Sequence, residues 1–275
     1  MKKLIFLDVD GTLTEPGCNV PPESALAAVR GARGKGNLVF LCTGRSLEMV
    51  EPLLQYGFDG VICSSGGYIE YQGRVIYDNP LSEDRKKLAM TVLEKNGIYR
   101  TVECKRGSYT DEGFKDFLRR HADEAGNSEL LRWREQVESA LNIRPMAEYE
   151  GQPAYKLVFI CESPEQLEEP RRVLEKDFNF CVQDANEYGY FNGEMVSRSF
   201  DKGQAVRRIC GYLGISVKDT VGFGDSMNDW EMMEVVGFGI CMENGSEQLK
   251  ALADDVCPAV SENGLRQAFE KYHLM

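Results

Sequence analysis

The chain has 275 residues, 43% of them hydrophobic, and its 44 acidic side chains outnumber its 32 Lys and Arg side chains to give a net charge of −12. The length predicts either one large α/β domain or two domains. The charge argues against nucleic acid and anionic membranes as partners, because an acidic surface repels both at long range. The composition does not indicate a particular oligomeric state.

The N-terminus and the cysteines predict a cytoplasmic protein. The segment MKKLIFL resembles the start of a secretory signal, but its apolar stretch ends after four residues at Asp8. A signal needs about 7 to 15 apolar residues and a membrane-spanning helix about 20. The nine cysteines are scattered singly without a C-x-x-C pair. This pattern is typical of a reducing compartment and not of a disulfide framework or a zinc site.

Short apolar runs alternate with helix-period segments in the first 80 residues. The predicted elements are the strand LIFLDV, a helix from Pro22 to about Arg33, a strand over 37–42, a helix from about Ser46 to Gln55, the strand GVICS and the hairpin YIEYQGRVIY, which turns at Gln72 and Gly73. Alternation of buried strands with helices is typical of βαβ units in a parallel sheet.

The middle of the chain, residues 81–191, has a different pattern. Two long charged helical segments, SEDRKKLAMTVLEKNG and GFKDFLRRHADEAG, precede three closely spaced strands, YKLVFIC, FCVQDA and YGYFNGEMV. Helices grouped with strands in close succession predict an inserted α+β module with an antiparallel sheet. Lys156 interrupts the first of these strands and is a candidate to contact an anionic or hydroxylated substrate, although a packing or solvated role is more usual for one lysine.

The alternation returns after residue 192. It predicts a helix from Gly203 to about Leu213, a strand over 220–224, a helix from about Met227, a strand over 237–241 and two closing helices. We therefore predict that residues 1–80 and 192–275 form one α/β core, a doubly wound Rossmann-like parallel sheet, and that residues 81–191 are a separate inserted domain.

Three strands of the predicted core end in polar clusters. LIFL runs into Asp8 and Asp10, LVFLC into Thr43-Gly44-Arg45, and TVGFG into the segment DSMND, which begins at Asp225. The carboxyl ends of parallel strands lie on one edge of a sheet, and ligands bind in the crevice beyond that edge. We therefore expect these three segments, which are far apart in sequence, to meet in space.

The carboxylates of these clusters predict a bound cation. Residues i and i+2 of an extended chain point the same way about 6–7 Å apart, so Asp8 and Asp10 face one spot, and Asp225 joins them. Two unit charges about 4 Å apart repel by about 4 kcal/mol at an effective dielectric near 20, so such a cluster favours a counter-ion. Oxygen ligands, with the two histidines of the chain far away in sequence, favour Mg²⁺.

Simpler interpretations exist for each motif. An EF-hand loop starting at Asp8 is excluded, because Thr12, Leu13 and Asn19 stand where that loop needs an acid or amide, Gly and Glu. A single Asp after a strand is usually a turn residue, and Thr43 and Ser46 can cap the following helix. That cap is compatible with anion binding, because a helix N-terminus also attracts phosphate. Lys202 opens a helix, where the dipole disfavours a cation, and one lysine is usually solvated.

Together the segments resemble the four motifs of the haloacid dehalogenase superfamily. DVDGT (8–12) matches the first motif, Thr43 in TGR the second, Lys202 the third and GDSMND (224–229) the fourth. Order and spacing agree along essentially the full chain. The match is nearest to the Cof-type phosphatases, whose large α/β cap lies between the second and third motifs, where this chain has residues 81–191.

The resemblance implies a Mg²⁺-dependent phosphomonoester hydrolase that acts on a small cytosolic phosphometabolite, with a sugar phosphate as the expected substrate. Asp8 would be the nucleophile that forms an aspartyl-phosphate, and Asp10 the general acid and base. The implied phosphate-binding residues are Thr43, Gly44, Lys202 and Asn228. The implied Mg²⁺ ligands are Asp8, the backbone carbonyl of Asp10, Asp225 and Asp229.

Two positions depart from the family pattern. Ser65-Gly66-Gly67 stands where the relatives usually have Asn-Gly-Ala, which puts a positioning side chain in question. Asp201 replaces the usual Ser before Lys202 and adds a negative charge, either as a partner of Lys202 or as the cap of its helix.

Two other functions compete with the phosphatase. A phosphomutase of the phosphomannomutase type uses the same aspartyl-phosphate, and Thr14 also occurs in such proteins, whereas TGR is typical of phosphatases. A catalytically idle phosphate-binding regulatory module would keep the fold without turnover, but every proposed catalytic group is present in this sequence.

Overall fold

The computed structural model describes residues 2–114, 143–183 and 191–275. Its strands are β1 (Leu4–Leu7), β2 (Leu38–Cys42), β3 (Gly60–Cys63), β4 (Tyr68–Tyr71), β5 (Arg74–Asp78), β6 (Tyr99–Cys104), β7 (Ser108–Thr110), β8 (Ile143–Pro145), β9 (Ala154–Cys161), β10 (Phe178–Gln183), β11 (Phe191–Ser197), β12 (Thr220–Gly224), β13 (Phe238–Met242) and β14 (Asp255–Cys257). The α-helices are α1 (Glu23–Gly34), α2 (Leu47–Leu54), α3 (Glu83–Lys95), α4 (Glu168–Leu174), α5 (Lys202–Leu213), α6 (Trp230–Val235), α7 (Glu247–Leu252) and α8 (Gly264–Lys271).

The chain forms two compact units. The first contains Met1–Asp78 and Phe200–Met275, and the second contains Asn79–Ser199. The sequence placed residues 192–275 in the core, but β11 pairs with β9 and β10 in the sheet of the second unit. The boundary between the units therefore lies after Ser199, because the whole of β11 forms its hydrogen bonds with strands of the second unit.

The first unit is built on one eight-stranded sheet in the order β14-β13-β12-β1-β2-β3-β4-β5. The strands from β14 to β3 are parallel, and β4 and β5 form an antiparallel hairpin at the edge. Its turn has positive φ at Gln72 and Gly73, as a two-residue type I′ turn requires. The parallel core is the predicted α/β architecture.

Strand β1 lies at the centre of this sheet and is buried throughout. Its Leu4 and Phe6 pack into an apolar cluster with Val206 and Ile209 of α5. The rings of Phe6 and Phe40 on neighbouring strands lie 5.5 Å apart. Burial of large apolar side chains stabilises each by about 1.5–3 kcal/mol. The strand therefore holds the backbone at its carboxyl end, next to Asp8, in a fixed position.

The second unit contains a six-stranded sheet in the order β10-β11-β9-β6-β7-β8. Its pairs are antiparallel except β7 with β8. Leu157 and Phe159 of β9 pack in a cluster with Leu93 of α3 and Leu174 of α4. The predicted helix GFKDFLRRHADEAG lies outside the described residues from position 115 onward. The sheet also contains β6, β7 and β8, which the sequence pattern did not predict.

Lys156 is fully buried inside the second unit. Its ammonium lies 2.5 Å from Glu194 and 3.0 Å from Glu103, on strands that flank β9. A buried lysine between two carboxylates is accounted for by these ion pairs, so its location favours the packing role over substrate contact. Among the described residues, no helix is long and apolar enough to cross a membrane.

Candidate active site

The three polar clusters meet at one edge of the first sheet. β1 pairs in parallel with β12 on one side and with β2 on the other, so the segments after Leu7, Cys42 and Gly224 are neighbours. The backbone N–H of Asp8 still donates to the carbonyl of Phe223 on β12. Parallel pairing thus brings together residues that the sequence separates by more than 200 positions.

Lys202 binds two carboxylates at the centre of the site. Its ammonium lies 2.6 Å from Oδ1 of Asp8 and 2.6 Å from Oδ1 of Asp229, and it donates to Oδ1 of Asn228 at 2.9 Å. Lys202, Asp8 and Asp229 are all buried. The three acceptors use the three N–H donors of the ammonium, so this lysine is held rigidly despite its position at the start of α5.

Burial controls the protonation of these groups. It raises the pKa of Asp8 to about 7, although the Lys202 ammonium opposes the shift. Burial also raises the pKa of Asp225 well above its usual range, and the charges on Asp8 and Asp229 add to that shift. For Lys202, burial lowers the pKa, but the charges of Asp229 and Asp8 outweigh it and raise the pKa overall. The site therefore holds more carboxyl groups than the Lys202 ammonium alone keeps ionised.

Asp225 is positioned by the loops around it. The Thr12 hydroxyl donates to its Oδ1 at 3.1 Å. Gly11, with φ of +82°, packs so closely that a Cβ there would lie 2.4 Å from Oδ2 of Asp225. The carbonyl of Gly11 accepts a hydrogen bond of 2.9 Å from the side-chain amide of Asn244. Asn244, which lies after β13, is a site residue that the sequence analysis missed.

Asp229 closes the loop that carries Asp225. Its Oδ2 accepts from the backbone N–H of Asp225 at 3.1 Å and of Ser226 at 3.2 Å. A Cβ on Gly224 would lie 2.5 Å from Cγ of Asp229, so the approach of the two residues requires glycine. Asp229 thus serves two groups, since Oδ1 binds Lys202 and Oδ2 orders the loop.

Three carboxylates form a candidate site for a divalent cation. One carboxylate oxygen each of Asp8, Asp225 and Asp229 lies within 4.8 Å of the other two. Oxygen donors are what a hard cation such as Mg²⁺ prefers. Burial raises the pKa values of Asp8 and Asp225, and a bound cation would favour their ionised forms. The residues therefore fit such an ion. The side chain of Asp10 is not part of this group of three.

The Asp10 carboxylate binds Arg45 instead. Nε of Arg45 donates to Oδ2 of Asp10 at 2.8 Å, and Nη2 donates to Oδ1 at 2.6 Å. The backbone N–H of Gly17 adds a third bond of 2.9 Å to Oδ1. Arg45 belongs to the TGR motif noted in the sequence, but its spatial pairing with Asp10 was not predicted.

Thr43 and Gly44 lie buried in the loop after β2. The Thr43 hydroxyl accepts a hydrogen bond of 3.1 Å from the backbone N–H of Arg45. Because a hydroxyl can both accept and donate, this bond leaves the hydroxyl proton to be donated elsewhere. The backbone N–H of Ser65 donates to the carbonyl of Thr43 at 3.0 Å, so Ser65 supports this loop through its backbone.

The second departure from the family pattern is a helix cap. Oδ1 of Asp201 accepts from the backbone N–H of Gln204, and Oδ2 accepts from its side-chain amide, both at 2.6 Å. Asp201 is thus the N-cap of α5, which is the usual place for an Asp. The carboxylate of Asp201 therefore stabilises the N-terminus of the helix that carries Lys202.

The chain is similar to known proteins along nearly its whole length. The family model of the haloacid dehalogenase-like hydrolases matches residues 5–269. The phosphatase YwpJ of Bacillus subtilis (strain 168) is 27% identical over 293 residues, which cover 99% of this chain and 100% of that protein. The 5-amino-6-(5-phospho-D-ribitylamino)uracil phosphatase YwtE of the same organism is 27% identical over 283 residues, with 96% and 95% covered. A solved haloacid dehalogenase-like hydrolase from B. subtilis superposes with a TM-score of 0.79 at 26% identity, with 99% of this chain and 100% of that chain covered.

Proposed function

The chain belongs to the haloacid dehalogenase-like hydrolases and is an enzyme of their phosphatase type, and we propose that it hydrolyses a small phosphomonoester through a phosphorylated Asp8 with Mg²⁺ as cofactor. The observation that carries this proposal is the cluster of Asp8, Asp225 and Asp229, in which Lys202 pairs with the buried carboxylates of Asp8 and Asp229. Phosphoryl transfer requires positioning and compensation of charge above all, and this cluster supplies both.

Asp8 is the nucleophile of the proposed reaction. One of its carboxylate oxygens attacks phosphorus in line with the leaving oxygen, and the bond from phosphorus to that oxygen breaks with its electron pair on the leaving oxygen. A proton from the Asp10 carboxyl neutralises the leaving oxygen. The product is an acyl phosphate on Asp8 and a free alcohol.

Water completes the reaction. It attacks the phosphorus of the acyl phosphate and gives its proton to the Asp10 carboxylate, which restores the acid. The bond from phosphorus to Asp8 breaks with its electrons on the carboxylate, and inorganic phosphate leaves. Asp10 is available for this double role because its carboxylate lies outside the group of three proposed Mg²⁺ ligands.

Lys202, Thr43, Gly44 and Asn228 are the proposed phosphate-binding residues. The Thr43 hydroxyl still has a proton to donate to a phosphoryl oxygen, because its bond with Arg45 uses it as an acceptor. All three donors of Lys202 have partners. A direct bond from Lys202 to phosphate would therefore replace the one to Asn228, whose acceptor is uncharged.

Asp8, Asp225 and Asp229 would hold Mg²⁺, together with the backbone carbonyl of Asp10. When bound, the ion compensates the negative charge that develops on the transferring phosphoryl group. It also favours the ionised form of Asp8, whose pKa burial has raised. Thr12, through its bond to Asp225, orients one of these ligands.

The proposed substrate is a polyhydroxylated phosphate ester of the sugar-phosphate class. The relative YwtE is named for a phosphoribityl compound, which has this chemistry. We further propose that residues 79–199 are the cap domain of this family and that the protein acts in the cytoplasm, in line with its scattered single cysteines. Thr14, on which the phosphomutase alternative rests, is buried with its hydroxyl bonded to the carbonyl of Val9.

Hydrolysis of a generic aryl phosphate tests this function. Purified protein should release phosphate with Mg²⁺ and lose that activity in chelator, and Asp8→Asn should be inactive under both conditions. Asp254→Asn is the matched control, since Asp254 accepts a hydrogen bond from Gly239 at the opposite end of β13 from the site. The proposal would be overturned if Asp8→Asn still released phosphate, or if the wild type released phosphate equally well with Mg²⁺ and with chelator.

A further inference from the structure

Arg45 is almost completely buried, with 1% of its surface exposed, and both oxygens of Asp10 are bound to it. We propose that Arg45 is the positioning residue for the general acid: it holds the Asp10 carboxylate in the orientation from which the leaving oxygen is protonated. This inference rests on the proposed function, because it assigns to Asp10 the proton transfer described above.

The geometry of the pair supports a positioning role. A bidentate bond between guanidinium and carboxylate fixes the carboxylate plane as well as its distance, which a single hydrogen bond or a lysine cannot do. The third bond, from Gly17 N–H to Oδ1, leaves the side chain of Asp10 little freedom to rotate. Rotational freedom matters because a catalytic acid must be held within a fraction of an ångström of its productive position.

Arg45 is itself fixed on its other side. Nη1 donates to Oδ1 of Asn19 at 2.6 Å, and Nη2 donates to the carbonyl of Cys18 at 3.1 Å. Its backbone N–H binds the hydroxyl of Thr43, and its carbonyl accepts from the N–H of Ser64. Arg45 therefore joins the loop after Asp10 to the loop that carries Thr43 and Gly44, and it fixes the position of Asp10 relative to these two proposed phosphate-binding residues.

This role has a chemical consequence that a purely structural role does not have. When phosphorus transfers to Asp8, an alkyl leaving oxygen needs a proton as its bond breaks, whereas a nitrophenolate leaves as a stable anion. General acid catalysis contributes about 10²- to 10⁴-fold where it is needed. Loss of the correct orientation of Asp10 should therefore slow alkyl esters far more than nitrophenyl esters.

The test measures kcat/KM for glycerol phosphate and for p-nitrophenyl phosphate, because this ratio reports the steps up to the transition state of phosphoryl transfer. Arg45→Lys keeps the charge and removes the bidentate geometry. It should lower kcat/KM for glycerol phosphate at least about 10-fold more than for p-nitrophenyl phosphate. Asp10→Asn should likewise lower kcat/KM more for glycerol phosphate than for p-nitrophenyl phosphate. The double variant should lose no more than Asp10→Asn alone, because Arg45 acts through Asp10. Equal losses on both esters, or additive losses in the double variant, would overturn the inference.

Asn19 provides a second test if Arg45→Lys does not fold. Asn19→Ala removes the anchor of Arg45 and should slow glycerol phosphate selectively, whereas Asn19→Asp keeps an acceptor and should restore the wild-type ratio between the two esters. An unchanged ratio in Asn19→Ala would count against the inference. Failure of the proposed function gives a different result, since Asp8→Asn would then retain kcat/KM on both esters.

Discussion

The ammonium of Lys202 lies 2.6 Å from Oδ1 of Asp8, across 194 residues of sequence. The contact joins the first turn of α5 to the end of the central strand β1. Lys202 also balances Asp229 at the same distance, so a single buried cation compensates two buried anions. Stability and catalysis in this site therefore depend on the same side chain.

Lys202→Met should destabilise the protein by about 3–5 kcal/mol, because it leaves buried carboxylates without their cation. It should also abolish turnover. Urea denaturation measures the first effect, and Lys271→Met, which breaks a pair with Asp255 at the surface, should change the stability far less. Combining Lys202→Met with Asp229→Asn should recover part of the lost stability. If the double variant instead lost the sum of the two single losses, the pairing of Lys202 with Asp229 would be contradicted.

Thr12→Val should weaken Mg²⁺ binding by about 10-fold or more, because it removes the hydroxyl that orients Asp225. The measurement is the Mg²⁺ concentration that gives half of the maximal turnover. Thr14→Val is the matched control, since that hydroxyl is equally buried but bonds to the carbonyl of Val9. A similar shift in both variants would show that Thr12 has no particular effect on the metal ligand.

Gly11→Ala should lower both stability and activity. Gly11 and Gly36 have similar positive φ values, +82° and +87°, but a Cβ on Gly36 meets nothing within 4 Å, whereas one on Gly11 meets Asp225. Both substitutions should cost about 1–2 kcal/mol for the backbone conformation. Only Gly11→Ala should also displace Asp225 and reduce kcat. Equal activity in the two variants would contradict the close packing of Gly11 on Asp225.

The contribution of Asp8 to the stability of the metal-free protein should fall as the pH rises from about 4 towards 7. The pKa of Asp8 is about 7 in the folded protein and about 3.9 in an unfolded chain, so between these values the folded state binds more protons. Asp225, whose pKa is also raised, acts in the same direction. Mg²⁺ should offset the loss, because it binds the ionised carboxylates of the folded state.

Urea unfolding at about pH 5 and about pH 7.5, in chelator and in Mg²⁺, measures this linkage. Asp8→Asn isolates the contribution of Asp8, because Asn does not titrate, and it should show the weaker pH dependence in chelator. Parallel pH dependence of wild type and Asp8→Asn would contradict the raised pKa.

The local pattern of apolar and polar residues was sufficient to predict most of the strands and helices of the α/β core. The strand over 220–224 is β12 residue for residue, and the hairpin turns at Gln72 and Gly73 as predicted. The convergence of Asp8, Thr43 and Asp225 also followed from the sequence, because all strands of a parallel sheet end on one edge. The short strand β14 and the strands β6 to β8 were missed, since their pairing depends on distant partners more than on their own composition.

Side-chain pairs in the site could not be predicted in this way. That Asp10 binds Arg45, or that Asn244 holds the carbonyl of Gly11, depends on the course of loops that only tertiary packing fixes. Lys156 is a similar case, because the sequence allows one lysine in an apolar strand either to contact a substrate or to form a buried ion pair. Its position between Glu103 and Glu194 distinguishes the two.

The proposed function depends above all on covalent phosphorylation of Asp8. The most direct measurement is mass spectrometry of peptides from enzyme quenched in acid during turnover of an aryl phosphate with Mg²⁺. The mass of one phosphoryl group should be found on Asp8 in the wild type. This modified form should accumulate in Asp10→Asn, where water is not deprotonated, and it should be absent from Asp8→Asn. Turnover with an unmodified Asp8 in both the wild type and Asp10→Asn, or a phosphoryl group on another residue, would contradict the proposed function.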